Sequence, residues 1–331
     1  MEKSELINLY TLDIQELVNL SAKVTAENFD NSIEACSILS ARTGKCEESC
    51  KYCSQSSHNK AQIECHPLVD LETVRKAAIS ARENGATRFA LVTSGRRPND
   101  EDFPRLLEMV KVVNSVEGLT CCASLGILTE EQMKQLAEAG CVRYHHNINT
   151  CKSYHPEITT THTYQDRIDT VNLAKKYGIE VCCGVIIGMG ETREQRVEMA
   201  LELAEIAPES VPVNVLTPIK GTPFENYLDK IDEDEIVRTM CIFRIAMPKS
   251  QIRFAGGRST RLSKENQELC LKAGVNGVIV GNYLTTLGQS VEEDKETFKK
   301  LGKVLIKWYN MYVSYQHWDR TNIYTPCIAA D

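Results

Sequence analysis

Cys46, Cys50 and Cys53 stand on a C-x3-C-x2-C spacing within "TGKCEESCKYCSQSS", residues 43–57. Three thiolates on one short loop form a soft ligand set, so the first question is which metal centre takes three rather than four. A structural zinc ion closes with four ligands, and no matching C-x2-C or H-x3-H partner lies at conventional distance. A redox C-x-x-C pair is formally present in "CKYC", but it leaves Cys46 without a task. A 4Fe–4S cluster held by three thiolates keeps one iron open to an outside ligand, which suits a catalytic centre rather than an electron wire.

Other reactive side chains fall on short β-rich runs, where successive residues alternate faces. In "LTCCASL", Leu119, Cys121 and Ala123 oppose Thr120, Cys122 and Ser124; in "EVCCGVI", Val181, Cys183 and Val185 oppose Glu180, Cys182 and Gly184. "VRYHHNINT" sets Val142, Tyr144, His146 and Ile148 against Arg143, His145, Asn147 and Asn149. "SVPVNVL" sets its valines against Pro212 and Asn214, and "QIRFA" sets Ile252 and Phe254 against Gln251, Arg253 and Ala255. The apolar sets are expected to face helices. The polar sets are expected to line an interior too polar to be a passive core.

The elements that must position these residues alternate. Runs near 33–41, 87–93, 119–125, 142–149, 179–187, 210–216, 251–255 and 276–280 are separated by amphipathic stretches such as "DLETVRKAAISARENG", closing on Gly85, and "TREQRVEMALELAEIA". Eight such units predict an α/β fold, a (β/α)8 TIM-type barrel, with a doubly wound open sheet as the competing architecture. One domain is expected over 1–331: an N-terminal helix in 1–32, a core at about 33–302, and a C-terminal tail over 303–331.

Composition narrows the classes. The net charge of -7 is spread along the chain, so no broad basic field for nucleic acid or anionic lipid exists. No apolar run approaches a membrane span, "MEKSELINLY" lacks the character of a secretory signal, and a soluble cytoplasmic protein is expected. Fourteen cysteines in such a chain suggest reduced thiols and metal ligation, not a disulfide framework. Cys36, Cys141, Cys241 and Cys270 sit among aliphatic residues and read as buried structural thiols.

The cysteine loop, with Tyr52 just before its last thiol, resembles that of the radical S-adenosylmethionine enzymes. "GVIIGMGE", Gly184–Glu191, resembles their G-x-I-x-G-x-x-E strand end, in which the backbone at Ile186 would meet the adenine. Over about residues 33–302 the chain resembles the biotin synthase family, through "YHHNINT", "TYQDRIDT", "GIEVCCGVIIGMGET", "ESVPVNVLTPIKGTPF" and "SQIRFAGGR". The resemblance implies a barrel, usually homodimeric, that inserts sulfur into dethiobiotin. It implies Cys46, Cys50 and Cys53 as 4Fe–4S ligands, with S-adenosyl-L-methionine on the open iron. Arg167 would lie near the methionyl carboxylate, Asn147 between nucleoside and substrate, Asn149 at the ribose, and Asn214 on the ureido ring. A flavodoxin or ferredoxin would supply electrons, and two hydrogen abstractions by a 5′-deoxyadenosyl radical would open the two carbons that sulfur bridges.

The family's sulfur donor is an auxiliary iron–sulfur cluster, usually 2Fe–2S on three cysteines and an arginine. Cys122, Cys182 and Arg253 match three of those places, but Ala90 in "TRFALVTS" occupies the fourth and cannot ligate. Another thiol (Cys121, Cys183, Cys151, Cys65 or Cys327) could replace it. A larger 4Fe type with an extra sulfide could sit there, or the second cluster could be absent. His145 and Asn149 also depart from the family's usual asparagine and aspartate; His145 is read either as a neighbour of the second cluster or as structural. The alternative function is a related radical enzyme without sulfur insertion, of the hydrogenase-maturation or methylornithine-forming kind. A zinc-stabilised binding protein is the reading from another class.

Overall fold

A computed structural model describes residues 1–281 and 290–306. The aromatic tail, with Cys327 in it, lies outside the described residues except for positions 303–306. Ten strands are described: β1 Ser32–Arg42, β2 Arg88–Thr93, β3 Thr120–Ser124, β4 Arg143–His145, β5 Glu180–Cys182, β6 Val185–Ile187, β7 Ser210–Val215, β8 Gln251–Phe254, β9 Gly277–Ile279 and β10 Val304–Leu305. All named pairings are parallel. β5 and β6 share one barrel position, β9 pairs back onto β1, and β10 is added outside on β1. The barrel is therefore closed, which settles the choice against an open sheet.

The register gives the barrel its stagger. Cys36 pairs with Arg88, and Arg88 with Thr120. Two residues on, Cys122 pairs with Arg143, and Arg143 with Glu180. Two further on, Cys182 pairs with Ser210, and Ser210 with Gln251. After a third such step Arg253 meets Gly277, which pairs with Glu34 and not with Cys36. Three two-residue steps and a final two-residue offset make a slip of eight, the shear of the TIM-barrel class.

The strand parities hold. Cys121, Ala123, Val181, Cys183, Val211, Val213, Val215, Ile252 and Phe254 lie in the apolar core between strands and helices. Cys122, Cys182 and Arg253 are buried but belong to no part of that core. The connecting helices start where short polar side chains satisfy free backbone amides. Asp70 accepts from Thr73 N ahead of Leu71–Glu83, and Thr192 forms a capping box with Gln195 ahead of Arg193–Ile206.

The N-terminal segment differs from the single helix expected. Two helices, Lys3–Asn8 and Ile14–Asn28, are separated by a 3-10 turn at Leu9–Thr11, because Asp13 caps a new start by accepting from Gln15 N. The second helix packs on Glu233–Ala246 and Lys264–Ala273. Its Ser21 Oγ donates to the Ala273 carbonyl at 2.7 Å.

Gly184 marks the break between β5 and β6. A methyl group there would lie 1.9 Å from the Pro212 carbonyl oxygen, on the neighbouring β7 backbone. Gly184→Ala should therefore lower stability by about 1–3 kcal/mol, the usual range for forcing an extra methyl into a packed site. Thermal unfolding of the apoprotein checks this.

At the barrel floor, Glu34 is buried among three arginines. It accepts from Arg88 Nε at 2.8 Å and Arg143 Nη1 at 3.0 Å, and pairs with Arg253 as well. Glu180 adds a second carboxylate, 2.9 Å from Arg143 and 3.3 Å from Arg88. Burial alone would favour protonation of Glu34, but the three guanidinium groups overcome it and hold the carboxyl far below its usual range.

Candidate active site

Residues 43–59 form a loop beyond the C-terminal end of β1, at the barrel mouth. Gly44 and Lys45 take left-handed backbone at φ 83° and 54° to turn the chain. Cys46 N donates to the Gln55 carbonyl, Ser57 N to that of Cys46, and Asn59 Nδ2 to those of Cys50 and Cys53. The loop is thus braced before any ligand arrives. Burial raises the Cys46 thiol and pushes Cys53 up to about 12. Opposing this, the amides of Glu48 and Gly95 point at the Cys46 sulfur, and those of Gln55 and Ser56 at Cys53. Backbone N–H groups aimed at sulfur stabilise the anionic ligand form, so the donor set fits a thiolate-held centre.

Among the described residues, no three thiol, imidazole or carboxylate side chains are gathered as a single ion requires. One tetrahedral ion draws its sulfurs to about 2.3 Å from a common point.

A cavity of about 200 Å³ opens beside the loop. Cys46, Cys50, Tyr52, Asn147, Asn149 and Arg167 all contribute to its wall; Cys53, Ile186 and Asn214 do not. Asn149, in left-handed backbone at φ 67°, donates from Nδ2 to the Tyr52 hydroxyl at 2.6 Å. Arg167 donates to His162 Nε2 and, at 2.9 Å, to the Asn147 carbonyl. Glu48 accepts from His162 Nδ1–H, so the Nδ1 tautomer leaves Nε2 as the acceptor that orients Arg167. Burial is the main reason His162 is held below its usual range, with the Arg167 charge acting the same way.

Two buried polar atoms on this wall, Thr93 Oγ1 and His146 Nε2, have no hydrogen-bond partner among the described residues. Burial holds His146 neutral. Parity places His146 on the face of Tyr144 and Ile148, and its ring stacks on that of Tyr144 with centroids 6.2 Å apart, yet it also borders the cavity that Asn147 and Asn149 line. Sequence reasoning also passed over Glu48 and His162, which are far apart in the chain and adjacent only in the fold.

Asn147 and Asn214 are pinned by backbone groups. Asn147 Oδ1 accepts from Gly184 N; Asn214 Oδ1 accepts from Gly256 N and its Nδ2 donates to the Val185 carbonyl. Each primary amide has two N–H groups and two lone pairs, so Asn214 retains one of each. Ile186 N–H is already donated to the Asn149 carbonyl. Glu191, at the end of the glycine motif, accepts from Gly188 N and Met189 N at 2.8 Å and pairs with Arg196.

Deeper in the barrel, the shear of eight shifts equal heights by one residue per strand. Starting at Cys36, one level contains Phe89, Cys122, Tyr144, Cys182, Val211, Arg253 and Val278. Phe89, Tyr144, Val211 and Val278 belong to the outer apolar core, and the other four do not. Cys36, Cys122, Cys182 and Arg253 thus form one inward layer from alternate barrel positions. Arg88, Arg143, Ser210 and Gly277 occupy the layer below, while Ala90 and His145 lie one level above.

His145 Nδ1 is 3.3 Å from Cys182 Sγ. Burial would raise the Cys182 thiol, but His145 and the charges of Arg253 and Arg143 outweigh it and bring it to about 7. Arg253 reaches this layer, yet its guanidinium is turned to Glu34, the Val278 carbonyl and Ser210 Oγ. Gly277 makes room for it, since a methyl there would sit 3.1 Å from the guanidinium carbon. The thirteen described cysteines are free thiols. Cys141, Cys241 and Cys270 are in the apolar core as expected, but Cys36 is not. That corrects its reading as a bland core thiol: it is half-buried and on the inward face of β1.

Residues 40–203 match the Radical SAM superfamily, and residues 212–304 match the Biotin and Thiamin Synthesis associated domain. A biotin synthase of Acetivibrio thermocellus is 46% identical over 291 residues, 88% of this chain and 90% of that protein. One of Carboxydothermus hydrogenoformans is 43% identical over 304 residues, 91% of this chain and 93% of that protein. Among solved structures, methylornithine synthase aligns with a TM-score of 0.81 at 19% identity, covering 94% of this chain and 96% of the other. An FeFe-hydrogenase maturase from Carboxydothermus hydrogenoformans aligns at 0.78 and 20%, over 92% and 76%. At such identities these two report the fold alone.

Proposed function

Starting from a chain that belongs to the biotin synthase family of the radical S-adenosylmethionine superfamily, we propose that it converts dethiobiotin to biotin by inserting sulfur between two unactivated carbons. Cys46, Cys50 and Cys53 would hold the 4Fe–4S cluster. Bound there, the cluster supplies the electron that splits S-adenosylmethionine and so generates the hydrogen-abstracting radical. The chain's own residues do the rest. Arg167, oriented by His162 and Glu48, offers a fixed cation to the methionyl carboxylate. Tyr52 and Asn149 border the nucleoside, with the Ile186 backbone against the adenine. Asn147 lies between nucleoside and substrate, and Asn214 offers its remaining N–H and lone pair to the ureido ring. The closed barrel keeps water and stray hydrogen donors from the reacting carbons.

What carries this reading is a three-thiol loop at the mouth of one barrel with a second layer of thiols beneath it. A radical enzyme without sulfur insertion needs only the first. Anaerobic turnover with dethiobiotin, S-adenosylmethionine and a reductant, assaying biotin and 5′-deoxyadenosine together, is the test. Deoxyadenosine released without biotin would overturn the sulfur-insertion reading in favour of the methylornithine- or maturase-like alternative.

Arg167→Ala should weaken S-adenosylmethionine binding by about 10- to 100-fold, the worth of a charge-assisted hydrogen bond at roughly 1.5–3 kcal/mol. Anaerobic equilibrium binding to the reconstituted protein checks this.

In the finer detail, the sulfur source would be an auxiliary cluster in the Cys122–Cys182 layer. It would be of the 2Fe–2S kind or a larger 4Fe type with an extra sulfide, and Ala90 disfavours the first. We also propose a single domain over 1–331, a homodimer, a cytoplasmic location and a flavodoxin or ferredoxin as electron donor. Among the described residues no helix is long and apolar enough to cross a membrane.

A further inference from the structure

Ala90 removes one ligand from the auxiliary site, and the barrel register offers another. We infer that Cys36 is the third thiolate of the auxiliary iron–sulfur cluster, sharing one barrel layer with Cys122 and Cys182. This rests on the reading that such a cluster exists.

The placement follows from two independent observations. By parity, Cys36 faces the same way as Glu34, whose carboxylate meets Arg88, Arg143 and Arg253 inside the barrel. By register, Cys36, Cys122 and Cys182 are level, on the first, third and fifth barrel positions. Besides Cys122 and Cys182, Cys36 is the described strand thiol that parity turns inward and that has no place in the apolar core.

The five substitutes suggested by sequence fare differently. Cys121 and Cys183 face the helices in the apolar core. Cys65 is exposed beside Gly44. Cys151 bonds Ser153 outside the strands, and Cys327 lies outside the described residues. Ala90, one strand across and one level up, differs from Cys36 by about 3 Å along the barrel axis, one residue's rise on a tilted strand. The ligand has moved one strand, and a small residue stands at the vacated place.

The fourth corner of the layer carries Arg253, which stays committed to Glu34 and the Val278 carbonyl. Three thiolates then account for the protein's share of the ligand set, the same number as the loop supplies at the mouth. The arginine layer beneath offsets their negative charge.

The test isolates this site. The full chain carrying Cys46→Ala, Cys50→Ala and Cys53→Ala is reconstituted without air, and its iron, sulfide and Mössbauer spectrum are measured. This parent should retain one cluster per chain. Adding Cys36→Ser should lower iron several-fold or shift the spectrum to one with an oxygen ligand. Cys141→Ser, a core thiol, should change neither. Far-UV circular dichroism verifies the fold, and Cys36→Ala is read the same way should the serine variant be unstable. A Cys36 variant that keeps the parent's iron, sulfide and spectrum would sink the assignment. A parent holding no iron would remove the second cluster itself, and the assignment with it. Retained iron distinguishes the first failure from the second.

Discussion

Cys50→Ala should bring both biotin and 5′-deoxyadenosine formation to background while the protein keeps the iron of one cluster. The loop is braced by backbone bonds at Cys46, Cys50 and Cys53 and by Asn59, so removing one sulfur leaves its shape in place. What is lost is one of the three anionic ligands that the loop would supply. Without that centre the sulfonium has no electron source, and no side chain here can replace it, because acids and bases do not reach an unactivated C–H bond. The matched measurement is Cys182→Ser. It should still release deoxyadenosine but form no biotin. If Cys50→Ala retained deoxyadenosine formation, the loop would not be the site of radical generation.

The second large effect is on folding. Glu34→Gln should destabilise the apoprotein by about 3–5 kcal/mol, the typical cost of removing one partner from a buried ionic group. Three guanidinium groups would then face a neutral amide in a buried site. Glu34→Gln with Arg253→Met should recover part of the loss, because the uncompensated charge goes too. The pH dependence has a definite sign. The folded-state pKa of Glu34 is depressed, so the unfolded chain binds this proton more readily. Its contribution is complete above the unfolded value, about 4.3, and declines as acid is added below it. The glutamine variant should lose that part of the acid dependence in urea titrations at pH 3–6.

Much of this site was readable from the chain because strand parity is local. Two residues per repeat turn Cys122, Cys182 and Arg253 inward without knowledge of any neighbour, and the apolar partners confirm it in the core. The loop thiols were readable for the same reason, since ten residues contain them all. Cys36 was not, because "SIEACSILSAR" surrounds it with aliphatic residues, and its level with Cys122 depends on a stagger summed round the whole barrel. His146 stacks on Tyr144 as its parity requires, but that it also borders the cavity was not legible, because the wall is assembled from several elements. The Glu48–His162–Arg167 relay joins a loop to a helix start more than a hundred residues away. Nothing local announces such a contact.

The buried ionic floor has one more implication. Among the described residues it stoppers the barrel at its base, so a nucleoside held at the cysteine loop, as proposed, would sit in the mouth above the deeper layer. On that proposal, sulfide spent in the depths would be restocked through the mouth after the spent nucleoside had departed. Turnover and refilling therefore take turns, and an enzyme kept saturated with S-adenosylmethionine should be slow to recover its second complement of sulfide.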